Sequence, residues 1–367
     1  MNIELNKKNK PTILIAPLDW GLGHATRCIP IINLLLQLDC KVVIASEGQQ
    51  QFLLKKEFPQ LQFVSLPGYN ISYTKHKRWF SFKIILQLPK IFRAIRQENK
   101  WLSNFLQSTP VDAIISDNRY GLYHKTIPSV LMTHQLAIQA PFKIAEKIMQ
   151  FFHYRLINRF STCWVPDVEG HINIAGKLSH PKKMPAIPIS YMGPLSRFSE
   201  KIEVENKYKL LIILSGPEPQ RSQLEKIILR QLSEILFSVL LIRGLPGNVE
   251  EKNSIGNLTI KNHLTAKELE LAFNESEIII SRSGYTTVMD ILKLKKQAIL
   301  IPTPGQTEQE YLSQHLKRLR WAYTTNQKNI SLLHLLNKVK SFPFKTPSLD
   351  MEQYKTVIKE WVDQLPS

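Results

Sequence analysis

Ile278-Ile279-Ile280-Ser281-Arg282-Ser283-Gly284-Tyr285-Thr286-Thr287-Val288-Met289-Asp290 decides how this 367-residue chain is read. Three consecutive isoleucines followed by Ser and Gly read as a short buried strand running into a tight turn. Ser283 is placed to N-cap a following helix, and Gly284 lets the backbone come close to a ligand. The unpaired N–H groups and dipole of that helix make an anion site, to which Thr286 and Thr287 add hydroxyl donors. Asp290, about two turns further on, is placed to accept from a pair of sugar hydroxyls. A diphosphate carrying a ribose suits these parts, although an ordinary capped turn uses the same residues.

The next strand favours the ligand-binding alternative. Lys296 to Pro302, apolar from Ala298 on, leads into Thr303-Pro304-Gly305-Gln306-Thr307-Glu308-Gln309-Glu310-Tyr311. This places a second polar loop, rich in carboxamides and carboxylates, at the carboxyl end of a neighbouring strand. Ligands of open α/β sheets bind at those ends.

Ser281-Arg282-Ser283-Gly284, Thr287-Val288-Met289-Asp290, Ile301-Pro302 and the Gln306 to Glu310 loop together resemble the donor half of MurG-like glycosyltransferases, enzymes of the family 28 type. The resemblance implies an α/β protein of GT-B fold, two Rossmann-like doubly wound domains facing a cleft. It also implies inverting transfer of a sugar from a UDP-sugar to a hydroxyl of a lipid-linked or cell-envelope glycan acceptor. The UDP-sugar would be a co-substrate, with no cofactor and no metal required. In this likeness Arg282, Ser283, Gly284, Thr286 and Thr287 face the diphosphate, Asp290 the ribose, and Gln309 and Glu310 the sugar, with Gln306 and Glu308 also on the donor-binding loop. The family has Gln where Glu310 stands, so the sugar can differ from the family's usual one.

The amino-terminal half is similar in plan. Thr12 to Ala16 is a strand, Pro17 to Arg27 a loop with Gly21 and Gly23, and Ile29 to Leu38 a helix. The loop lacks the third glycine of a dinucleotide fingerprint and the GK[ST] of a P-loop. His24 is either a structural histidine or a cleft residue. The resemblance ties Gly21, Gly23 and His24 to the acceptor, while Asp19, Trp20 and Leu22 depart from the family's glycine-rich form. The strand Val111 to Ser116 ends in Asp117-Asn118-Arg119, a polar cluster where the cleft is expected. Asp117 is placed either to take a proton from the acceptor or to pair with Arg119. The general base is His24 or Asp117, and Asn118, Arg119 and His134 are acceptor candidates.

Length allows two domains. We expect an acceptor-binding domain over 1–196, a linker over 197–207, a donor domain over 208–348, and a terminal helix over 349–367 that crosses back to the first domain. In the donor domain the loop after Leu210 to Leu214 brings Ser215, Gly216 and Arg221 toward the phosphates. By the resemblance, His263 and Leu264 lie near the nucleotide base.

Charge is uneven. Of the net +18, residues 1–196 carry +13 and the remainder +5. Residues 75–101 hold eight Lys/Arg against the single acid Glu98, interleaved with Trp79, Phe80, Phe82, Ile84 and Ile85. Such a segment fits an anionic membrane surface, and Pro141 to Phe160 extends it. Pro89 is expected to kink or split the helix there. An amphipathic helix packed on the sheet is the plainer alternative. No nucleic-acid module is recognised, so nucleic acid is not an expected partner. Cys28, Cys40 and Cys163 form no metal or disulfide pattern and fit a reducing compartment. The start is polar, and the apolar run Thr12 to Pro17 is too short for a signal peptide. No apolar run of spanning length occurs. The expected location is cytoplasmic, peripheral to the inner face of the membrane. The rivals are a sugar-nucleotide epimerase on the same fold and a basic binding protein without catalysis.

Overall fold

In the computed structural model, residues 10–69, 88–138, 143–199, 201–245 and 256–366 are described. They form two parallel sheets. The first holds β1 (Thr12–Pro17), β2 (Lys41–Ala45), β3 (Gln62–Val64), β4 (Ala113–Asp117), β5 (Ser129–Met132), β6 (Thr162–Val165) and β7 (Ile189–Tyr191). Their order is β3-β2-β1-β4-β5-β6-β7. The second holds β8 (Tyr208–Ile213), β9 (Val239–Ile242), β10 (Leu258–Lys261), β11 (Ser276–Ser281), β12 (Gln297–Leu300) and β13 (Tyr323–Thr324), in the order β10-β9-β8-β11-β12-β13.

The strands read as near-continuous Val, Ile and Leu because helices cover both faces. In the first half these are α1 (Leu22–Gln37), α2 (Gly48–Glu57), α3 (Leu88–Ser108) and α4 (Lys143–Ile157). In the second they are α5 (Gln220–Leu232), α6 (Ala266–Asn274), α7 (Tyr285–Lys293), α8 (Thr307–Leu319), α9 (Leu332–Lys340) and α10 (Gln353–Asp363). Strand order reverses between β1 and β4 in one sheet and between β8 and β11 in the other. A crevice opens where strand order reverses in such sheets. Pro17 pairs in register with Asp117, and Ile213 with Ser281, so the loops after these four strands surround the two crevices.

Two local expectations change. Ser283 does not cap α7: Gly284 occupies the N-cap, with φ −71° and ψ 136°. The Ser283 hydroxyl is drawn off by the carbonyl of Gln309. Pro89 does not kink the interior of α3 as described; it lies in the first turn, where its missing N–H costs nothing. Trp79, Phe80, Phe82, Ile84, Ile85, Pro141 and Phe142 lie outside the described residues. Among those described, no helix is long and apolar enough to cross a membrane.

The last helix, α10, packs on the first half. Ile358 is fully buried, and Trp361 meets Trp164 of β6 edge to face at 5.1 Å between centroids. An aromatic contact of this geometry adds to simple burial. Ile358→Ala should therefore cost about 2–5 kcal/mol. Denaturant unfolding checks this, and a loss within the noise of the extrapolation would show that α10 is not a structural tie.

Candidate active site

The loop after β1 turns at Gly21, whose φ of +95° an L side chain rarely adopts. It delivers His24 and Arg27 one helical turn apart on the same side of α1. Both meet Asp117 at the end of β4. Asp117 has no exposed surface. It accepts from Arg27 Nε at 2.8 Å and also from Arg27 Nη2, a two-pronged pair. His24 Nδ1 lies 3.0 Å from Asp117 Oδ2 and 2.9 Å from Arg27 Nη2.

These contacts set protonation. Burial would push the Asp117 carboxyl up, but Arg27 and then His24 hold it below the usual carboxylate range. Burial pushes His24 below its ordinary 6.5, and the upward pull of Asp117 does not overcome this. His24 is therefore neutral in the folded protein near pH 7. With its proton on Nδ1 it donates to Asp117, which leaves Nε2 basic. Asp117, expected as one of two general bases, is sealed behind His24 with its oxygens occupied. It fixes the His24 ring through this contact and is not itself open to the cleft. Nor does it pair with Arg119.

A second contact chain crosses between the two sheets. Arg27 Nη1 lies 3.3 Å from His134 Nδ1, and His134 Nε2 lies 2.7 Å from Glu308 Oε1 at the start of α8. The His134 ring stacks on Tyr285 at 4.0 Å, with planes 2° apart. The Tyr285 hydroxyl donates to the Pro166 carbonyl at 2.7 Å. Beside it the Thr286 hydroxyl donates to the Gly23 carbonyl at 3.0 Å. A Cβ at Gly23 would stand 3.1 Å from Thr286 Oγ1, so glycine permits this approach. Thr286 is thus engaged across the cleft, whereas the sequence suggested a phosphate donor.

On the donor side, Gly216 adopts φ +102° beside Thr303 and Arg282. Arg282 is buried and donates to the carbonyls of Ile301, Pro302 and Gln220. Burial pulls its guanidinium down to about 10. Arg282 Nε, Thr303 Oγ1 and Gln220 Oε1 are buried without a hydrogen-bond partner. Such atoms call for an explanation. Here they gather at the carboxyl ends of β8, β11 and β12, alongside Ser215 and the first turn of α7 with Thr287. Gln309 Oε1 accepts from Thr303 N at 2.9 Å and Glu310 Oε1 from Gly305 N at 3.1 Å, so both brace the 303–305 loop. Gln306 is the N-cap residue of α8, without a side-chain cap bond.

Three expected ligand residues are otherwise occupied. Arg221 is locked between Glu218 at 2.6 Å and Glu225 at 2.9 Å and does not face the phosphate site. Arg119 is buried against Glu98 at 2.6 Å and does not line the acceptor side; its neighbour Asn118 takes a left-handed φ of 56°. Asp290 is 1% exposed and accepts from Ser196 Oγ at 2.7 Å, with Arg197 Nη2 at 3.3 Å. Burial holds its carboxyl above the usual range against the pull of Arg197. A ribose cannot reach it without displacing that pair. Arg197 is the residue that extends onward, to a cleft lined by His263 and Leu264.

Residues 222–362 match the glycosyltransferase family 28 C-terminal domain. The chain is similar to the UDP-N-acetylglucosamine–N-acetylmuramyl-(pentapeptide) pyrophosphoryl-undecaprenol N-acetylglucosamine transferase of Sulfurihydrogenibium sp. (strain YO3AOP1), 28% identical over 171 residues, which is 46% of each chain. The protein of the same description from Clostridium perfringens (strain SM101 / Type A) is 24% identical over 298 residues, 76% of this chain and 75% of that one. Thus the match spans about half of the first relative's length. Among solved structures, Acinetobacter baumannii MurG superposes with a TM-score of 0.53 at 16% identity, covering 97% of this chain and 99% of that one. The glycotransferase of kitacinnamycin gives 0.63 at 12% identity, covering 96% and 95%. At these identities the structures speak for the fold.

Removing Arg27 would strand a buried carboxylate. Arg27→Ala should cost about 3–5 kcal/mol in equilibrium unfolding, and Arg27→Met with Asp117→Asn markedly less, because the double change leaves no buried charge. Equal losses would mean that the pair is not the buried ionic contact described.

Proposed function

We propose that the chain is a MurG-like glycosyltransferase and that it transfers a sugar from a UDP-sugar to a hydroxyl of a lipid-linked or envelope-glycan acceptor, with inversion. The observation that carries this reading is the His24–Asp117–Arg27 cluster set directly against the first turn of α7, through the Gly23–Thr286 contact. A base and a leaving-group site are thereby brought to one place.

The step balances simply. The acceptor oxygen attacks the anomeric carbon while its proton passes to His24 Nε2. The bond from that carbon to the β-phosphate oxygen breaks, and the electron pair leaves with UDP. Asp117 stabilises the imidazolium that forms, and Arg27 keeps Asp117 ionised. The N–H groups of the first turn of α7, its dipole, and the unpaired groups of Arg282 and Thr303 face the developing charge. Arg197, held by Asp290, extends that positive site toward the cleft at His263. The reading routes no step through a metal. Gln306, Gln309 and Glu310 remain the candidates for sugar recognition from the 303–310 loop.

A membrane-borne acceptor is supported by the outer face of α4. Ile144, Ile148, Phe151 and Phe152 are exposed, beside Lys143, Lys147 and Arg155. Phe152 meets Phe92 of α3 at 6.0 Å, so the two helices form one basic and apolar surface. We place the protein peripherally on the anionic inner face of the membrane. Neither the epimerase nor the non-catalytic alternative gains support from the relatives.

A transfer assay with a panel of UDP-sugars and polyprenyl-diphosphate-linked acceptors tests the reading. His24→Ala should lower kcat by about 10²–10⁴ while UDP still binds. Full activity in that variant would remove His24 as base.

The pH profile offers a second test. A depressed pKa keeps His24 unprotonated, and so competent, to lower pH. The acid limb of kcat/KM should fall below the ordinary 6.5, and a limb above 6.5 would contradict the burial argument. The sign for stability is the same: the unfolded state binds that proton more readily, so stability drops as pH falls below about 6.5.

A further inference from the structure

Helix α8 is tied along one side to the first half of the chain. Beyond the Glu308 contact with His134, Lys177 N donates to the Tyr311 hydroxyl at 2.8 Å, and His315 Nε2 donates to the Asn173 carbonyl at 3.0 Å. Asn173 and Lys177 belong to one turn in the connection between β6 and β7. We infer that this turn of the first half governs which sugar the second half accepts, with Tyr311 as the positioning residue through which it acts. The inference rests on the donor reading above, in which Gln309 and Glu310 recognise the sugar, and adds to it a determinant on the opposite half.

The turn is built to keep one shape. Asp167, with no exposed surface, accepts from Ile174 N and Ala175 N at 2.9 Å and from Ser179 Oγ at 2.7 Å. Asn173 Oδ1 closes the turn by accepting from Gly176 N at 2.6 Å. A carboxylate this buried is costly without its donors, so deforming the turn is costly too. The turn is also shaped to receive Tyr311. Gly176 has φ +56°, and a Cβ there would stand 2.3 Å from the Tyr311 hydroxyl oxygen, so glycine leaves room for that hydroxyl. The rings of Tyr311 and His315, one helical turn apart, lie 5.9 Å apart with planes 6° apart, so both ties act on the same face of α8. Gln309 and Glu310 directly precede Tyr311, and their side chains support the 303–305 loop at Thr303 N and Gly305 N.

Helix geometry gives the consequence. Side-chain tips lie about 5–6 Å from a helix axis. Turning α8 by about 10° would carry Gln309 and Glu310 by about 1 Å, a displacement on the scale that spoils positioned contacts. Sugars that differ in the orientation of one hydroxyl are told apart on that scale. Within its own half α8 is held by Ser283 at the Gln309 carbonyl, a backbone atom close to the axis that resists rotation poorly. The ties at Tyr311 and His315 reach out from the helix and resist it well.

Calorimetric titration of the full-length protein with UDP, UDP-glucose, UDP-galactose and UDP-N-acetylglucosamine tests this in wild type, Tyr311→Phe, Asn173→Ala and the double variant. Wild type should separate the three UDP-sugars. Tyr311→Phe should narrow the widest gap in Kd about fivefold, as loss of one hydrogen bond does, with the Kd for UDP itself unchanged. Asn173→Ala, on the opposite half, should narrow the gap in the same way, and the double variant no further, because both changes loosen one tie. A purely structural role would lower the melting temperature and leave the gap as it was. An unchanged gap in Tyr311→Phe, or losses that add in the double variant, would overturn the inference while the donor reading stands. So would a wild type that binds UDP but holds all three UDP-sugars alike. If Tyr311→Phe loses UDP in parallel with the UDP-sugars, the effect is not at the sugar and the inference falls. If wild type binds neither UDP nor any UDP-sugar, the donor reading fails and this inference with it.

Discussion

The buried pair of Arg27 and Asp117 is the interaction on which the site depends. Taking a carboxylate out of water is costly unless a well-oriented partner repays it. Arg27 does so with two donors. Because it lies on α1 and Asp117 on β4, the pair also pins the Gly-rich loop to the switch point of the first sheet. His24, one turn before Arg27, then has only one place to go. The remaining guanidinium nitrogen lies near His134, and through His134 the network reaches Glu308 in the second half. One ionic contact thus fixes the protonation of His24 and its position relative to α7.

The second half contributes backbone more than side chains. The first turn of α7 and the turn at Gly216 present N–H groups and dipoles at the carboxyl ends of adjacent parallel strands. The polar side chains nearby mostly brace loops. Ser283 and Gln309 tie α7 to α8, and Glu310 supports the turn at Gly305. Arg282, surrounded by carbonyls and without a carboxylate, is the exception: a buried cation with an unpaired Nε is suited to meeting an anion. Under the proposed function this division sets a side-chain base on one half and a dipole-built leaving-group site on the other, as a displacement between two bound substrates requires.

Much of the fold was legible because it rests on local pattern. Ile278 to Ile280, ending at Ser281, and Ile13 to Ile15, ending at Ala16-Pro17, are short apolar runs, and parallel strands buried on both faces read in that way. The positions of Gly21, Gly23 and Gly216 followed from turns. What escaped the sequence was pairing. Arg27 and Asp117 are 90 positions apart, and Asp290 and Ser196 are 94 apart, so no spacing announces either contact. Arg119 stood two residues from Asp117 in sequence, but the strand ends at Asp117 and the left-handed turn at Asn118 takes Arg119 away to Glu98. Arg221 carried a readable warning, since Glu218 and Glu225 stand three and four residues from it, the distances at which helix neighbours pair. Arg197 was hidden because linkers are not usually searched for ligands.

The most direct measurement is thermal melting of the intact protein with UDP, GDP, ADP and inorganic pyrophosphate. A nucleotide that occupies the site at about 100 times its Kd should add about 2.7 kcal/mol of stability. The expected result is stabilisation by UDP beyond the other nucleotides and beyond pyrophosphate. No shift with any nucleotide would contradict a donor site at α7, and with it the claim that His24 faces a leaving diphosphate.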